Sequence, residues 1–278
     1  MLRFLKLNNT FEDIQNWPDN RNISVDRVGI RGIKHPVRFE DWVEQGNIAS
    51  QHLTATIDMM VNLPKDVKGT HMSRFVEILN AQEVVLSIAN MPYWLDAMAT
   101  KLEAQHCFFK ANFDYFLTKT APISKVKSLM DYQVTLNGVL YEGVPQTIVT
   151  VVIPVTSLCP CSKKLSKYGA HNQRSHITLT LEARPNLSLQ KIIQLVESNA
   201  SCELYGIVKR NDEKYITEKA YENPKFVEDM VRDVAHALSK EDTLLGYKVA
   251  SENFESIHNH SAYAEIDCLT LPAMIRAL

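Results

Sequence analysis

Residues 151–183, VVIPVTSLCPCSKKLSKYGAHNQRSHITLTLEA, constrain the fold more than any other stretch of the chain. An apolar strand closes at Thr156 and Ser157, and a second strand leaves over 177–183. Between them stand Cys159, Pro160 and Cys161, then Lys163, Lys164 and Lys167, then His171, Arg174 and His176. Two thiols, two imidazoles and four cations have no use in packing a core. The connection therefore reads as a site, and the rest of the chain as its scaffold.

The scaffold reads as sheet and helix. Leu53, Ala55, Ile57, Met59 and Val61 alternate with polar residues, the pattern of a half-buried strand. The same alternation predicts strands at 107–117, 131–141, 147–155, 177–183, 244–254 and 262–269, with a turn at Asn137-Gly138 interrupting the second of these. Helical spacing predicts a helix over 83–104, kinked or broken at Pro92, and two more through Leu189, Ile192, Ile193 and Val196 and through Phe226, Met230, Val234 and Leu238. Each half runs strands, helix, strands. Such alternation suits antiparallel sheets with one face covered by helices, an α+β class. The expected organisation is an irregular N-terminal arm over 1–50, a first module over 51–143 and a second, site-bearing module over 144–278.

A chain of 278 residues, 45% of them hydrophobic, can bury a large core. A formal net charge of −2 argues against a protein that coats nucleic acid or a membrane surface, yet allows a local basic pocket. No apolar run reaches the ~20 residues of a membrane span, and the first residues lack an export signal, so a cytoplasmic location is expected. Only Cys159 and Cys161 of the five cysteines are close in sequence, which favours metal or redox chemistry over structural disulfides.

Cys159 and His171 are the first metal-ligand candidates, since a thiolate and a neutral imidazole suit zinc or a similar divalent ion. A catalytic site needs a third ligand, for which Asp212, Glu213, Glu218 and Glu222 are available. A closed structural site would instead use Cys159, Cys161, His171 and His176. The basic loop favours catalysis on a polyanionic ligand. Glu255, His258 and His260 could carry protons, and the two imidazoles would share a face of a regular strand.

Several separated motifs together resemble the type IB GTP cyclohydrolases: SLCPCSK, GAHNQRSH, KRNDEKYITEKAYENPKFVEDMVRD and ESIHNHSAYAE, with DNRNISVDRVGIRGIKHPV and KGTHMSRFVEIL near the N-terminus. The resemblance implies a tunnelling fold, with two tandem modules of antiparallel sheet and helices packed on one face. It implies a cytoplasmic homotetramer with active sites where subunits meet, and no nucleic-acid partner. The implied reaction is hydrolysis of a cyclic amidine: GTP and water give 7,8-dihydroneopterin triphosphate and formate, the entry to folate and, in some bacteria, to queuosine. The implied metal ligands are Cys159, His171 and Glu213 around zinc, manganese or iron. Cys161, Glu255 and His258 are the implied proton-handling group, and Glu228 the guanine anchor. Lys163, Arg174, His260 and, across an interface, His71, with Lys68 and Arg74, are cations for the triphosphate. Two other readings compete: a metal-free nitrile reductase of the same fold with Cys159 as nucleophile, and a zinc-stapled module without catalysis.

Overall fold

The structure is a computed structural model and describes residues 14–43 and 46–272. Its first half contains β1 (Val25–Trp42), β2 (Ile48–Leu63), α1 (Met72–Asn80), β3 (Val85–Leu86), α2 (Met91–Leu102), β4 (Cys107–Thr120) and β5 (Lys127–Tyr141). The second half contains β6 (Val144–Leu158), α3 (Pro160–Leu165), β7 (Asn172–Ala183), α4 (Leu189–Ser198), β8 (Cys202–Glu203), α5 (Arg210–Glu222), α6 (Val227–Leu238), β9 (Leu244–Asn253) and β10 (Ala262–Cys268). The strands form one sheet in the order β10-β9-β7-β6-β5-β4-β2-β1-β3, and β8 pairs with β6. Every pairing is antiparallel except β1 with β3. The α+β class, with helices packed on one face of antiparallel sheet, is the architecture that the alternation demanded.

One face of each strand builds the core. Ile57 and Met59 of β2, Phe109 and Ala111 of β4, Leu136 of β5, Val151 and Ile153 of β6, and Leu179 of β7 are fully covered. Against them lie Met91, Leu95 and Met98 of α2, Ile193 and Val196 of α4, and Met230 and Val234 of α6, in one apolar cluster that runs through both halves. Each such side chain contributes about 1.5–3 kcal/mol on leaving water.

Three sequence expectations are corrected. Residues 25–42 of the expected irregular arm form the long strand β1, paired along β2. Register shifts at 25–28 and 30–33 break its alternation, and Pro36 is tolerated because β1 meets β3 only at Arg38 and Phe39. Residues 1–13 of that arm lie outside the described residues. The helix expected from 83 begins at Met91, with Pro92 in its first turn, where the missing N–H costs nothing. Asn137-Gly138 is no turn. Strand β5 runs through it, and a Cβ on Gly138 would stand 2.4 Å from Met91 Sδ, so glycine lets α2 approach the sheet. The hairpin turn falls instead at Glu142 (φ 50°) and Gly143 (φ 76°), the left-handed pair of a tight β6 entry.

Candidate functional site

The functional loop hangs from the end of β6, which continues through Thr156 and Ser157 to Leu158. Part of the expected loop is the short helix α3, started by Pro160 and capped by Cys159, whose Sγ accepts the Ser162 N–H at 3.5 Å. The Cys159 N–H donates to the His171 carbonyl at 3.2 Å. Ser162 Oγ donates to the Cys159 carbonyl at 3.1 Å and accepts the His171 N–H at 3.2 Å. Backbone and one serine thus hold the main chains of Cys159 and His171 against each other, although they are twelve residues apart in sequence.

His171 in turn meets the turn after β9. Its Nδ1 is 3.0 Å from Gln173 Oε1 and 3.6 Å from Glu255 Oε2. Gln173 Nε2 donates to Ser157 Oγ at 2.9 Å and to Glu255 Oε1 at 3.3 Å, and Ser175 Oγ lies 2.7 Å from Ser157 Oγ. Phe254 N–H donates to the Arg174 carbonyl, which extends the β7–β9 ladder far enough to deliver Glu255. The turn then tightens through His258 N–H on the Glu255 carbonyl at 3.2 Å. His258 and His260 do not lie on a strand. They sit in the turn before β10 as exposed rings stacked at 5.0 Å.

Helix α5 supplies the acidic candidates. Ile216 and Ala220 pack it against Leu158 and Ala170, beside the functional loop. Glu213 shares that helix face one turn earlier and is exposed. Asp212 is fully buried and committed elsewhere: it accepts the N–H groups of Ile123 and Ser124 at 2.8 Å, Lys209 N–H at 2.9 Å and Ser124 Oγ–H at 2.5 Å. Burial pushes its carboxyl up, but these donors outweigh burial and hold it well below the usual carboxylate range. Asp212 is therefore an anchor and not a ligand.

Among the described residues of one chain, no three Cys, His, Asp or Glu side chains stand together as a complete metal cage. The donor set nevertheless suits a divalent ion. His171 has Nδ1 engaged by Gln173, while its Nε2 takes no hydrogen bond among the described residues. Cys159 is partly exposed beside it. An imidazole held through one nitrogen and open at the other is the usual preparation of a ligand.

The remaining candidates are dispersed. Cys161 is exposed on α3. Lys163 donates to the Tyr221 carbonyl and lies 4.4 Å over the Tyr221 ring, so it is already engaged with α5. Arg174 and His176 point to the sheet face opposite Gln173 and Ser175, into a cavity of about 380 Å³ shared with Gln133 and Tyr205. The His176 ring meets Phe254 edge-on at 4.9 Å, and burial, then Arg174, lowers its pKa. That placement separates His176 from the Gln173 network, against the closed four-ligand site. Glu228 is exposed in the first turn of α6. His71 stands at the start of α1 in the first half; nearby, Lys68 lies 4.8 Å over the Trp17 ring and Arg74 pairs with Glu103 at 3.7 Å. Sequence reasoning missed Ser157, Gln173 and Ser175. Their signal was present: three polar residues occupy core-facing positions of strands whose other inward residues are apolar.

The family model described as type I GTP cyclohydrolase FolE2 matches residues 11–264. GTP cyclohydrolase FolE2 2 of Dechloromonas aromatica is 56% identical over 255 residues, covering 92% of this chain and 93% of that protein. GTP cyclohydrolase FolE2 of Nitrosococcus oceani is 55% identical over 256 residues, covering 92% and 94%. Similar solved structures include a uricase from Bacillus fastidious, with TM-score 0.49, 6% identity and coverage of 87% and 93%. The uricase of Arthrobacter globiformis gives a TM-score of 0.46 at 6% identity, with coverage of 89% and 95%. A shared model over most of its length and relatives above half identity establish that the chain belongs to the FolE2 family of type I GTP cyclohydrolases.

Proposed function

We propose that this protein is a GTP cyclohydrolase of folate biosynthesis, converting GTP and water to 7,8-dihydroneopterin triphosphate and formate. The observation that carries this reading is the locked pair Cys159–His171, backed by Gln173 and Glu255, in a chain of the FolE2 family. The product also feeds queuosine synthesis in organisms that make it. Cys159, His171 and Glu213 are the proposed ligands of one divalent ion, zinc, manganese or iron. When bound, that ion supplies Lewis acidity toward water at the purine.

The chain's own groups do the rest. Glu228 accepts the guanine N1–H and exocyclic amine, a bidentate pairing that adenine cannot offer. Hydration at C8 opens the imidazole ring and a second hydration releases formate. The ribose carbon chain then closes on the freed amine with loss of one water, for a net consumption of one. Glu255, His258 and Cys161 hold or move the protons of these steps. His260, with His71 of a neighbouring subunit, faces the triphosphate; Arg174, on the sheet face opposite Gln173, reaches a triphosphate only at a neighbouring subunit's site, and Lys163 joins only by leaving Tyr221.

Residues 51–143 and 144–278 are read as two modules of a tunnelling fold, and the assembly as a cytoplasmic homotetramer with shared sites. The sheet supports assembly, because β10 ends it with an outer edge that no described strand covers. No helix among the described residues is long and apolar enough to cross a membrane.

Incubating the metal-loaded protein with GTP tests the reading. Formate and a pterin that fluoresces after oxidation are expected in equal amounts, both lost on adding EDTA and both absent in Cys159→Ala. Turnover indifferent to chelator would contradict it.

A further inference from the structure

Gln173 has no role in the reaction as set out above, yet it is 8% exposed at the centre of the site, and each of its polar atoms has a partner. The orientation of its amide is decided by those partners. Reversing it would set Oε1 against the Glu255 carboxylate oxygen, acceptor on acceptor, where Nε2 now donates at 3.3 Å. With Nε2 held by Glu255 and Ser157, Oε1 is left to face His171 Nδ1 at 3.0 Å. An amide oxygen only accepts, so Nδ1 must carry the hydrogen and Nε2 must carry the lone pair. Glu255 lies farther from Nδ1, at 3.6 Å, which is outside hydrogen-bond reach.

We infer that Gln173 is the positioning residue of this site: it fixes His171 as the Nδ1–H tautomer, turns the Nε2 lone pair outward as a metal ligand, and ties that ligand to Glu255. Ser157 is the anchor behind it, itself fully buried and braced by Ser175. The chain thereby links the proposed ligand and the proposed proton carrier through a single amide. This inference deepens the proposed function and rests on its assignment of His171 as a ligand.

The test uses the full chain with zinc as the probe. Histidine labelled with nitrogen-15 reports the His171 tautomer in metal-free protein, assigned by the signal missing in His171→Asn, and chelator competition reports zinc affinity. The wild type is expected to show the Nδ1–H form. Gln173→Met is expected to lose that preference and bind zinc about 10–100-fold more weakly. Gln173→Glu keeps an acceptor toward Nδ1 and is expected to keep the tautomer. Ser157→Ala, which leaves the glutamine and its packing in place, is expected to weaken zinc binding in the same direction and covers the case in which Gln173→Met does not fold. An unchanged tautomer and zinc affinity within twofold of wild type in a folded Gln173→Met protein would overturn the role of Gln173. Failure of the wild type to bind zinc is a separate result and would overturn the ligand assignment of His171.

Discussion

The carboxylate of Asp41, near the end of β1, accepts the backbone N–H of Leu189 at 2.8 Å, across 148 residues of sequence. Its second oxygen accepts Gln190 N–H and Tyr115 O–H, both at 3.0 Å. An acid from the first half thus occupies the N-terminus of α4 in the second half, where the helix leaves N–H groups without partners. Two other buried acids cross in the opposite direction. Glu197 of α4 pairs with Lys119 and accepts Tyr132 O–H at 2.7 Å, and Asp212 holds the Ile123–Ser124 turn. The halves are joined by these contacts as well as by the continuous sheet, and the Asp212 contact fixes the helix that presents Glu213.

Asp41→Ala is expected to destabilise the fold by about 2–4 kcal/mol, because it strands a buried hydroxyl and two amide groups at once. Asp41→Asn keeps the acceptor oxygen and is expected to cost about 1 kcal/mol. Urea unfolding followed by far-ultraviolet circular dichroism measures both; equal costs would mean that the hydrogen bonds at α4 contribute nothing.

Gly138→Ala is expected to cost about 1–3 kcal/mol, since the new methyl group meets the buried Met91 side chain. Pairing it with Met91→Ala removes the clash. A double variant whose loss equals the sum of the single losses would show that α2 and β5 are not in contact there.

Burial pushes the Cys107 thiol up to about 12, and burial, then Glu203, does the same for Cys202. A raised folded value means that the unfolded chain gives up these protons first. Their contribution is therefore intact below pH 9.0, the ordinary thiol value, and is lost as pH rises from there towards about 12. Replacing both by alanine is expected to flatten the decline of unfolding free energy over that interval. Tyr115, Tyr132 and Tyr205, also raised by burial, and Tyr263, raised to about 12 chiefly by its bond to Glu265, contribute to the decline that remains. At neutral pH the exposed Cys161 and Cys268 are expected to be alkylated long before either buried thiol.

Glu228→Ala is expected to weaken GTP binding about 100-fold, the loss of two charge-assisted hydrogen bonds, with a smaller fall in kcat. Steady-state kinetics with GTP and ATP check the assignment. Wild-type protein that turns over ATP as readily as GTP would remove Glu228 as the guanine anchor.

What the sequence made legible was periodicity and reactive clustering. The strands with clean alternation were readable, as was the clustering of Cys159 and His171 in one connection, because polar and reactive residues in one short connection have few other uses. Strand β1 was hidden by its register shifts and by Pro36. Helix α5 was hidden because RNDEKYITEKAYE is polar almost all round, and Ile216 and Ala220 pack it on the functional loop. Asp212 and Glu213 are neighbours in an acidic helix start, and sequence alone gives them equal standing as ligands. Only the Ile123–Ser124 turn, 88 residues earlier, commits Asp212 to an anchoring role. Gln173 was silent for the same reason: its meaning lies in Glu255, which reaches it from the turn after β9.

The most direct measurement is the extended X-ray absorption fine structure of the protein loaded with one equivalent of zinc. One sulfur scatterer near 2.3 Å, with nitrogen and oxygen ligands filling the rest of the shell, is the predicted result, and Cys159→Ala should remove that sulfur. Two sulfurs in the shell, or a spectrum unchanged by Cys159→Ala, would contradict a single thiolate, an imidazole and a carboxylate sharing one ion.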